Sequence, residues 1–157
     1  LITKDEMVQK IKVAKQTLKD PDFTLIARTD AIAVNGFDDA IDRARAYADA
    51  GADMLFVEAP TSIEQIEKIA DAIKTPKLIN MFYGGKTPLV PADQLHAMGY
   101  RLVIIPSDLQ RAAIRAVQDT LDAIKRDGDS GSIKDALATF SEREQIIHTS
   151  DYLALDK

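Results

Sequence analysis

Four apolar runs with β character recur along the chain, and each ends at a polar residue or a proline. They predict strands over 23–27, 53–57, 77–80 and 101–105. The residues that end the runs are Arg28, Glu58, Asn80 and Pro106. Their spacings of 30, 22 and 26 positions leave room for one helix after each strand. The pattern therefore predicts repeated strand–helix units in a parallel sheet.

The segments between these runs carry apolar residues at helical spacing. Thr3 and Glu6 have the spacing of a capping box, and the helix that they begin is predicted to reach Lys19. Further helices are predicted over 37–50, from Thr61 or Ser62 to 73, over 92–98, and from Ser107 or Asp108 to about 125. The apolar residues of the last helix form one stripe, which is predicted to face inward. Residues 31–36 are predicted to form a loop.

The composition becomes linker-like at 128–132, where Gly, Ser and Asp predominate. From Ile133 onward the pattern predicts one helix and a second helix capped by Ser141, with Glu144 three positions later. The predicted organisation is a strand–helix region over 1–127, a linker over 128–132 and a helical arm over 133–157.

Length and composition are those of a globular domain. The chain has 157 residues, of which 46% are hydrophobic and 29% charged, so it can bury a sizeable core. The net charge of −5 argues against nucleic acid or an anionic membrane as a partner. No apolar run approaches the ~20 residues that span a bilayer. The absence of Cys excludes disulfides, thiolate metal sites and thiol catalysis by this chain.

The first residues lack both an initiator Met and the pattern of a signal peptide, which is typical of an internal piece of a longer protein. Because the chain has no Cys, its redox compartment stays open. We expect a cytoplasmic location, or the mitochondrial matrix if the source is eukaryotic.

Four strand–helix units suit either half of a (β/α)₈ barrel or a small doubly wound sheet. A complete barrel usually needs ~250 residues. A doubly wound nucleotide binder would carry a Gly-rich turn after its first strand, and no such turn follows Arg28. The segment 84–87 (Gly-Gly-Lys-Thr) resembles the end of a phosphate-binding loop, but Asn80 stands where the first glycine of that motif belongs. The predicted fold class is therefore α/β, the second half of a TIM-type barrel (about strands five to eight) with additional C-terminal helices.

In both architectures ligands bind at the carboxyl ends of the strands, which selects the residues that end the four runs. Arg28 offers a planar fork for a carboxylate or phosphate, or it forms an ion pair with Asp30 or Glu58 that holds the rim. Glu58 ends an apolar strand, so its charge needs a partner or a cation. Asn80 suits recognition of a carboxylate or carbonyl oxygen, or it caps a loop.

A series of short motifs occurs in a characteristic order. They are Ala27-Arg-Thr-Asp-Ala31, Ala50-Gly-Ala-Asp53, Phe56-Val-Glu-Ala-Pro60, Asn80-Met81, Gly84-Gly-Lys-Thr-Pro88, Met98-Gly-Tyr100 and Ile105-Pro106. The ordered set resembles the isocitrate lyase/phosphoenolpyruvate mutase superfamily over residues 3–126. Its Glu-Ala-Pro and Gly-Gly-x-Thr-Pro forms are most similar to the branch of methylisocitrate lyases, dimethylmalate lyases and oxaloacetate-cleaving enzymes.

The resemblance implies a lyase that depends on Mg²⁺, or on Mn²⁺, and cleaves a carbon–carbon bond of a small 2-hydroxy or 2-oxo di- or tricarboxylate through an enolate. It implies substrate-binding and catalytic roles for Arg28 and Glu58, with Glu58 also facing the metal through water. It further implies that Asn80 lines the site, that Thr87 lies near the distal carboxylate and that Pro106 shapes the wall. A homotetramer whose C-terminal helices exchange between neighbours is implied as well, and the arm after 128–132 suits that exchange.

The chain departs from the family pattern in one large respect. The family's Mg²⁺-binding Asp cluster and its Lys-Lys-Cys-Gly-His loop precede this region, and neither occurs here. We therefore expect the N-terminal half of the barrel to be a missing partner, and we expect this chain alone to bind Mg²⁺ weakly and to be inactive. Two alternatives remain open. One is a phosphonomutase-branch enzyme with C–P chemistry, and the other is a non-catalytic carboxylate-binding barrel subunit in which Arg28 and Glu58 only pair with each other.

Overall fold

The computed structural model describes residues 1–155 and divides them into two compact units, Leu1–Asp108 and the residues from Leu109 onward. The strands of the first unit are β1 (Ile26–Thr29), β2 (Met54–Val57), β3 (Lys77–Asn80) and β4 (Tyr100–Ile104). Its helices are α1 (Lys4–Thr17), α2 (Ala31–Val34), α3 (Phe37–Asp49), α4 (Ile63–Ala72) and α5 (Ala92–Ala97). Helix α6 (Asp108–Asp127) begins at the boundary, and a 3₁₀ helix (Gly131–Ala136), α7 (Phe140–Ile146) and α8 (Thr149–Ala154) follow it. Within the described residues, no helix has the length and apolar character that crossing a membrane requires.

The four strands are parallel, and their order in the sheet follows the order of the chain, β1-β2-β3-β4. Consecutive order is that of a barrel, whereas a doubly wound sheet reverses its order at a switch point. The predicted α/β fold with a parallel sheet is confirmed, and the order favours the half-barrel over the doubly wound alternative. Because all strands run the same way, their carboxyl ends lie along one rim.

The helices of the first unit build the core on one face of the sheet. Side chains alternate between the two faces of each strand, and every second one faces this core. These side chains pack with apolar side chains of α1, α3, α4 and α5. The buried members include Ile11, Ala27, Tyr47, Leu55, Ile66, Ile69, Ile79 and Leu95. Each fully buried Ile or Leu contributes about 1.5–3 kcal/mol. On the other face of the sheet, side chains of the two edge strands are partly exposed to solvent. Ile26, Leu102 and Ile104 are 38%, 41% and 37% exposed. An open inner face is the geometry expected of half a barrel.

Local signals placed most of these elements correctly. The Thr3 hydroxyl accepts a hydrogen bond from Glu6 N at 3.2 Å, and Glu6 Oε2 accepts one from Thr3 N at 2.9 Å, so the predicted capping box is confirmed. Of the two candidate caps for α4, the structure selects Ser62, whose hydroxyl accepts from Gln65 N at 3.2 Å. Strand β1 starts three residues later than predicted and includes Arg28 and Thr29.

Two local predictions were wrong. Part of the predicted loop over 31–36 forms α2, in which Asn35 N donates to Ala31 O at 2.8 Å, because the segment Ala-Ile-Ala-Val contains no helix breaker. The capping box of the tail is made by Thr139 and Glu142, not by Ser141 and Glu144. Both pairs have the same spacing, so the sequence pattern could not separate them.

The second unit exposes much of its apolar surface. Leu109, Val117 and Leu121 of the predicted inward stripe are 83%, 59% and 59% exposed, and Phe140 on α7 is 84% exposed. The prediction that the stripe is covered was wrong for this chain, because an amphipathic pattern indicates which face suits burial and not what covers it. The proposed linker and arm both lie in this unit and stay predictions. The last two positions of the arm, 156–157, lie outside the described residues.

Candidate functional site

A cavity of about 330 Å³ opens where β1, β2 and β3 end, and all of its lining residues belong to the first unit. Its polar and charged lining consists of Arg28, Asp30, Glu58, Asn80, Lys86 and Thr87. Four of the five predicted site residues are therefore brought together in one cavity. Pro106 is exposed and does not line it, so its place in the pocket wall stays a prediction.

Arg28 lies at the rim between two carboxylates and an aromatic ring. Its Nε and Nη2 donate to the two carboxylate oxygens of Asp30 at 2.9 and 2.7 Å, and Nη2 lies 3.6 Å from Glu58 Oε2. Its guanidinium carbon is 4.8 Å from the centre of the Phe56 ring, because the two residues are paired in register on adjacent strands. The hydrogen bonds that Arg28 donates to Asp30 raise the pKa of Arg28 and lower the pKa of Asp30.

The pairing of Arg28 serves orientation more than stability. The side chains of Arg28 and Asp30 are 50% and 47% exposed, and ion pairs at that exposure contribute only about 0–1 kcal/mol. The bidentate contact to Asp30 still uses one edge of the guanidinium and leaves the other donors available. Both alternatives considered for Arg28, a partner for the acidic rim and a group that can receive an anion, fit this geometry.

Glu58 is held at the end of β2 by its backbone. Its N–H donates to Thr29 O at 2.9 Å, which continues the pairing of β1 with β2 by one residue. No residue among 1–155 donates a hydrogen bond to the buried Glu58 Oε2, although the Arg28 guanidinium lies within ion-pair distance. A buried carboxylate oxygen without a donor is costly, so this atom requires a ligand or water contact.

The residue after Glu58 has an unusual backbone. Ala59 has a φ of 59°, in the left-handed region that side chains with a Cβ rarely adopt, and the buried Pro60 follows it. Such a conformation costs about 1–2 kcal/mol. Ala59 also lines the cavity, so the strained turn carries the chain away from the rim directly after the Glu58 carboxylate.

Asn80 lies beside Glu58 at the end of β3. Its Nδ2 is 3.5 Å from Glu58 Oε1, a long hydrogen bond, while its buried Oδ1 receives no hydrogen bond from the part of the chain that the structure describes. Two adjacent side chains thus each present a buried oxygen acceptor that receives no hydrogen bond from residues 1–155. The arrangement suits a ligand that carries hydrogen-bond donors, or a hydrated cation, next to the anion site at Arg28.

The loop over 81–87 closes one side of the cavity. Gly85 N donates to Phe82 O at 3.0 Å, and Tyr83 N donates to an Asp108 carboxylate oxygen at 3.2 Å. The Phe82 ring lies against Gly85 so closely that a Cβ there would come within 3.1 Å of it. Thr87 is only 7% exposed. The backbone of the loop is therefore well anchored.

Sequence reasoning missed two features of this site. In the sequence Lys86 belongs to the weak phosphate-loop match and to the Gly-Gly-Lys-Thr-Pro motif, and no role in the site follows from either; as the cation of the Gly-Gly loop it could have been found. The strain at Ala59 has no signal in a single sequence, because Ala rarely marks a left-handed position.

The fit of a divalent cation can be tested on the same residues. Among residues 1–155, no three His, Asp or Glu side chains are grouped closely enough to hold a metal ion. The orphaned Glu58 Oε2 nevertheless fits a contact to a metal-bound water, as the resemblance implied. This chain can thus contribute to a metal site, while most of the ligands must come from other residues.

The sequence and fold of the chain match those of known proteins. A family model described as "Phosphoenolpyruvate phosphomutase" matches residues 1–125. The chain belongs to the phosphoenolpyruvate mutase family. The predicted membership in the isocitrate lyase/phosphoenolpyruvate mutase superfamily is confirmed.

Two relatives of this family member are carbon–carbon lyases. The 2,3-dimethylmalate lyase of Eubacterium barkeri is 41% identical over 147 residues, which are 94% of this chain and 51% of that protein. The 2-methylisocitrate lyase of Escherichia coli (strain K12) is 38% identical over 152 residues, which are 97% of this chain and 51% of that protein. The chain spans about half the length of these relatives.

A solved structure supports the fold. Phosphonopyruvate hydrolase in complex with oxalate and Mg²⁺ superposes with a TM-score of 0.81 and 28% identity, over 99% of this chain and 56% of that one. The half-barrel prediction agrees with this match, because one half of the neighbour accounts for almost the whole chain.

Proposed function

We propose that this chain supplies the carboxylate-binding half of the active site of an Mg²⁺-dependent carbon–carbon lyase, which cleaves a small 2-hydroxy or 2-oxo di- or tricarboxylate through an enolate. The observation that carries the proposal is the meeting of Arg28, Glu58 and Asn80 in one cavity at the strand ends. Identity of 41% to a dimethylmalate lyase and 38% to a methylisocitrate lyase supports carbon–carbon cleavage, with 2-methylisocitrate, dimethylmalate or oxaloacetate as the type of substrate.

The three residues divide two tasks between them in this proposal. Arg28 binds a substrate carboxylate with the guanidinium donors that Asp30 leaves unused. Glu58 and Asn80 accept hydrogen bonds from the substrate, or from water on the metal, through their orphaned oxygens. Asp30 and the Phe56 ring keep the guanidinium oriented, so the anion meets a preorganised donor.

The cofactor of this proposal is Mg²⁺, which Mn²⁺ could replace. A bound divalent ion supplies positive charge that stabilises an enolate oxygen. Glu58 would face it through water, and the remaining ligands would come from the missing N-terminal half. The chain by itself is therefore proposed to be inactive.

The test supplies that missing half. This chain is fused behind the N-terminal half of the Eubacterium barkeri lyase, and pyruvate release from 2,3-dimethylmalate is followed in the presence of Mg²⁺. We expect Arg28→Ala to lower kcat/KM about 100-fold, because it removes charged hydrogen bonds to the substrate carboxylate. The matched control is Arg45→Ala, which replaces an exposed arginine of α3 that does not line the cavity.

Two outcomes would contradict the proposal. A folded wild-type fusion that releases no product would remove the lyase assignment. Unchanged kcat/KM in the Arg28→Ala fusion would remove Arg28 from the substrate site and would leave it as a partner of Asp30 and Glu58 only. In that case titration of the chain with oxalate should also give no heat, as expected of a non-catalytic barrel subunit.

The likeness to phosphonopyruvate hydrolase keeps C–P chemistry as a second candidate. In the same structural comparison a 2,3-dimethylmalate lyase is 31% identical to the chain and the hydrolase 28%, which favours the lyase slightly. Turnover of phosphonopyruvate by the same fusion at a higher rate than every dicarboxylate would reverse this choice.

Assembly and location complete the proposal. We propose that the protein forms a homotetramer in which the helical arm of each copy docks on a neighbour, which would cover the exposed apolar residues of α7. We also propose a cytoplasmic location, or the mitochondrial matrix in a eukaryote. The small carboxylate and the N-terminal half are its proposed partners.

A further inference from the structure

The cavity at the strand ends is lined by two positive and two negative side chains, but both negative ones lie beside the same positive one. Its charged lining consists of Arg28 and Lys86 on one side and Asp30 and Glu58 on the other. Both acids lie against Arg28, at 2.7 Å for Asp30 and 3.6 Å for Glu58. Both carboxylates therefore pair with Arg28, and neither pairs with the Lys86 ammonium.

Lys86 combines an anchored backbone with an unengaged side chain. Its ammonium forms no hydrogen bond or ion pair with any residue among 1–155, and the side chain is exposed. The neighbours on either side are held, because Gly85 packs under the Phe82 ring and Thr87 is buried. A lysine of this kind can reach a bound anion without rearranging the loop.

We propose that Lys86 is a specificity-determining residue, which selects acids that carry a second carboxylate. One carboxylate of the ligand binds at Arg28, and the other pairs with the Lys86 ammonium on the loop side of the cavity. This inference rests on the proposed function, because it names which acids the same cavity accepts. A monocarboxylate can use only the Arg28 end, so it gains nothing from Lys86.

The loop geometry adds a reason for a lysine at this place. The segment 84–85 (Gly-Gly) lets the chain turn tightly, with a φ of 83° at Gly84, and the next residue is the first that can project a long side chain. A compact ammonium on a flexible stem tolerates different distances between two carboxylates, whereas a rigid fork would demand one spacing. Lys86 thus suits a diacid site that accepts more than one chain length.

The test compares malate with lactate, which share a 2-hydroxy carboxylate and differ in the distal carboxylate. Both acids are titrated into the full ¹⁵N-labelled chain, and dissociation constants are taken from amide shifts of the cavity residues. In Lys86→Met we expect the Kd of malate to rise about tenfold and the Kd of lactate to change less than about twofold. Lys86→Arg should restore malate binding to within about threefold, because it keeps the charge.

The matched control is Lys12→Met, which removes an exposed lysine of α1 outside the cavity and should leave both constants unchanged. Equal weakening of malate and lactate in Lys86→Met would show a role in loop structure and overturn the inference. An unchanged Kd for malate would overturn it too.

The same titration separates this inference from the proposed function. If the wild-type chain binds malate and lactate equally well, the carboxylate site stands and only the role of Lys86 fails. If it binds neither acid at about 50 mM, the carboxylate site itself fails and the inference fails with it.

Discussion

Single side chains in this protein hold the strand ends in place through backbone partners as well as charges. Asp53, just before β2, accepts hydrogen bonds from Lys15 Nζ at 2.9 Å and from Leu25 N at 2.9 Å. One carboxylate thereby joins the end of α1, the start of β1 and the start of β2. These contacts, with Lys15 first and the Leu25 amide second, lower the pKa of Asp53.

The hydrogen bonds of Asp53 predict that Asp53→Asn lowers the free energy of unfolding by an amount that depends on pH. Because the folded-state pKa lies below the ordinary value, the stabilisation is present above that value and is lost as pH falls through the lowered pKa. We expect a loss of about 1 kcal/mol in the free energy of unfolding near pH 7, a modest figure because the side chain is 38% exposed. Urea unfolding at several pH values measures it.

The control for this prediction is Asp22→Asn, an exposed carboxylate in the turn before β1. It should change the free energy of unfolding by less than about 0.5 kcal/mol. A difference between Asp53→Asn and wild type that stays constant down to about pH 2 would contradict the linkage argument.

At the scale of elements, the turn from α5 into β4 depends on a buried lysine. Lys77, the first residue of β3, is 3% exposed, and its Nζ donates to Ile73 O at 3.0 Å. The ammonium also lies 5.6 Å from the centre of the Tyr100 ring. Burial lowers the pKa of Lys77 and raises that of Tyr100. The group ties α4, β3 and β4 together at the end of the sheet opposite the cavity.

Gly99 in that turn leaves little room for a side chain. Its φ is 85°, and a Cβ there would lie 3.0 Å from Lys77 Nζ. Gly84 has a matching φ of 83° but open space around it. We therefore expect Gly99→Ala to cost about 2 kcal/mol and Gly84→Ala about 1 kcal/mol, since both variants place a Cβ at a positive φ and only the first crowds the ammonium.

Thermal and urea unfolding of the two variants would measure this difference. Equal losses would show that the Lys77 contact adds nothing beyond the conformation of the glycine. A smaller loss for Gly99→Ala than for Gly84→Ala would contradict the proposed crowding.

At the scale of the whole molecule, the first unit presents an open barrel interior and the second unit an open apolar surface. The edge strands expose Ile26 and Leu102, while α7 exposes Phe140 and Ile146, at 84% and 72% for the latter two. Large exposed apolar side chains in numbers mark surfaces that bind other chains. Both features are surfaces that the proposed assembly would cover.

The proposed exchange of arms predicts an effect on self-association. We expect the double variant Phe140→Ser and Ile146→Ser to sediment as smaller species than wild type, because it removes the apolar contacts of α7. Val34→Ser is the control, since Val34 is 62% exposed but lies in the first unit. Identical sedimentation of wild type and the double variant would contradict docking through this arm.

Two features of the fold that depend on neighbours in the sequence were predicted correctly, and two that depend on distant segments were not. The bounds of β3 were predicted to the residue, and the Thr3–Glu6 box was correct, because both depend on neighbours in the chain. The start of β1 was displaced because pairing with β2, and not apolar character, decides where a strand begins. The prediction that the apolar stripe of α6 is buried was wrong, because burial depends on what packs against the helix.

The candidate site divides in the same way. By itself the sequence determined that polar residues end apolar strands, and the topology of parallel strands then placed Arg28, Glu58 and Asn80 on one rim. Folding was needed to show that Asp30 takes one edge of Arg28, that Ala59 turns through a left-handed conformation and that Lys86 lies beside the cavity with no partner among the described residues. The physical reason is that periodicity acts along the chain, whereas pairing, strain and charge balance arise between segments that only folding brings together.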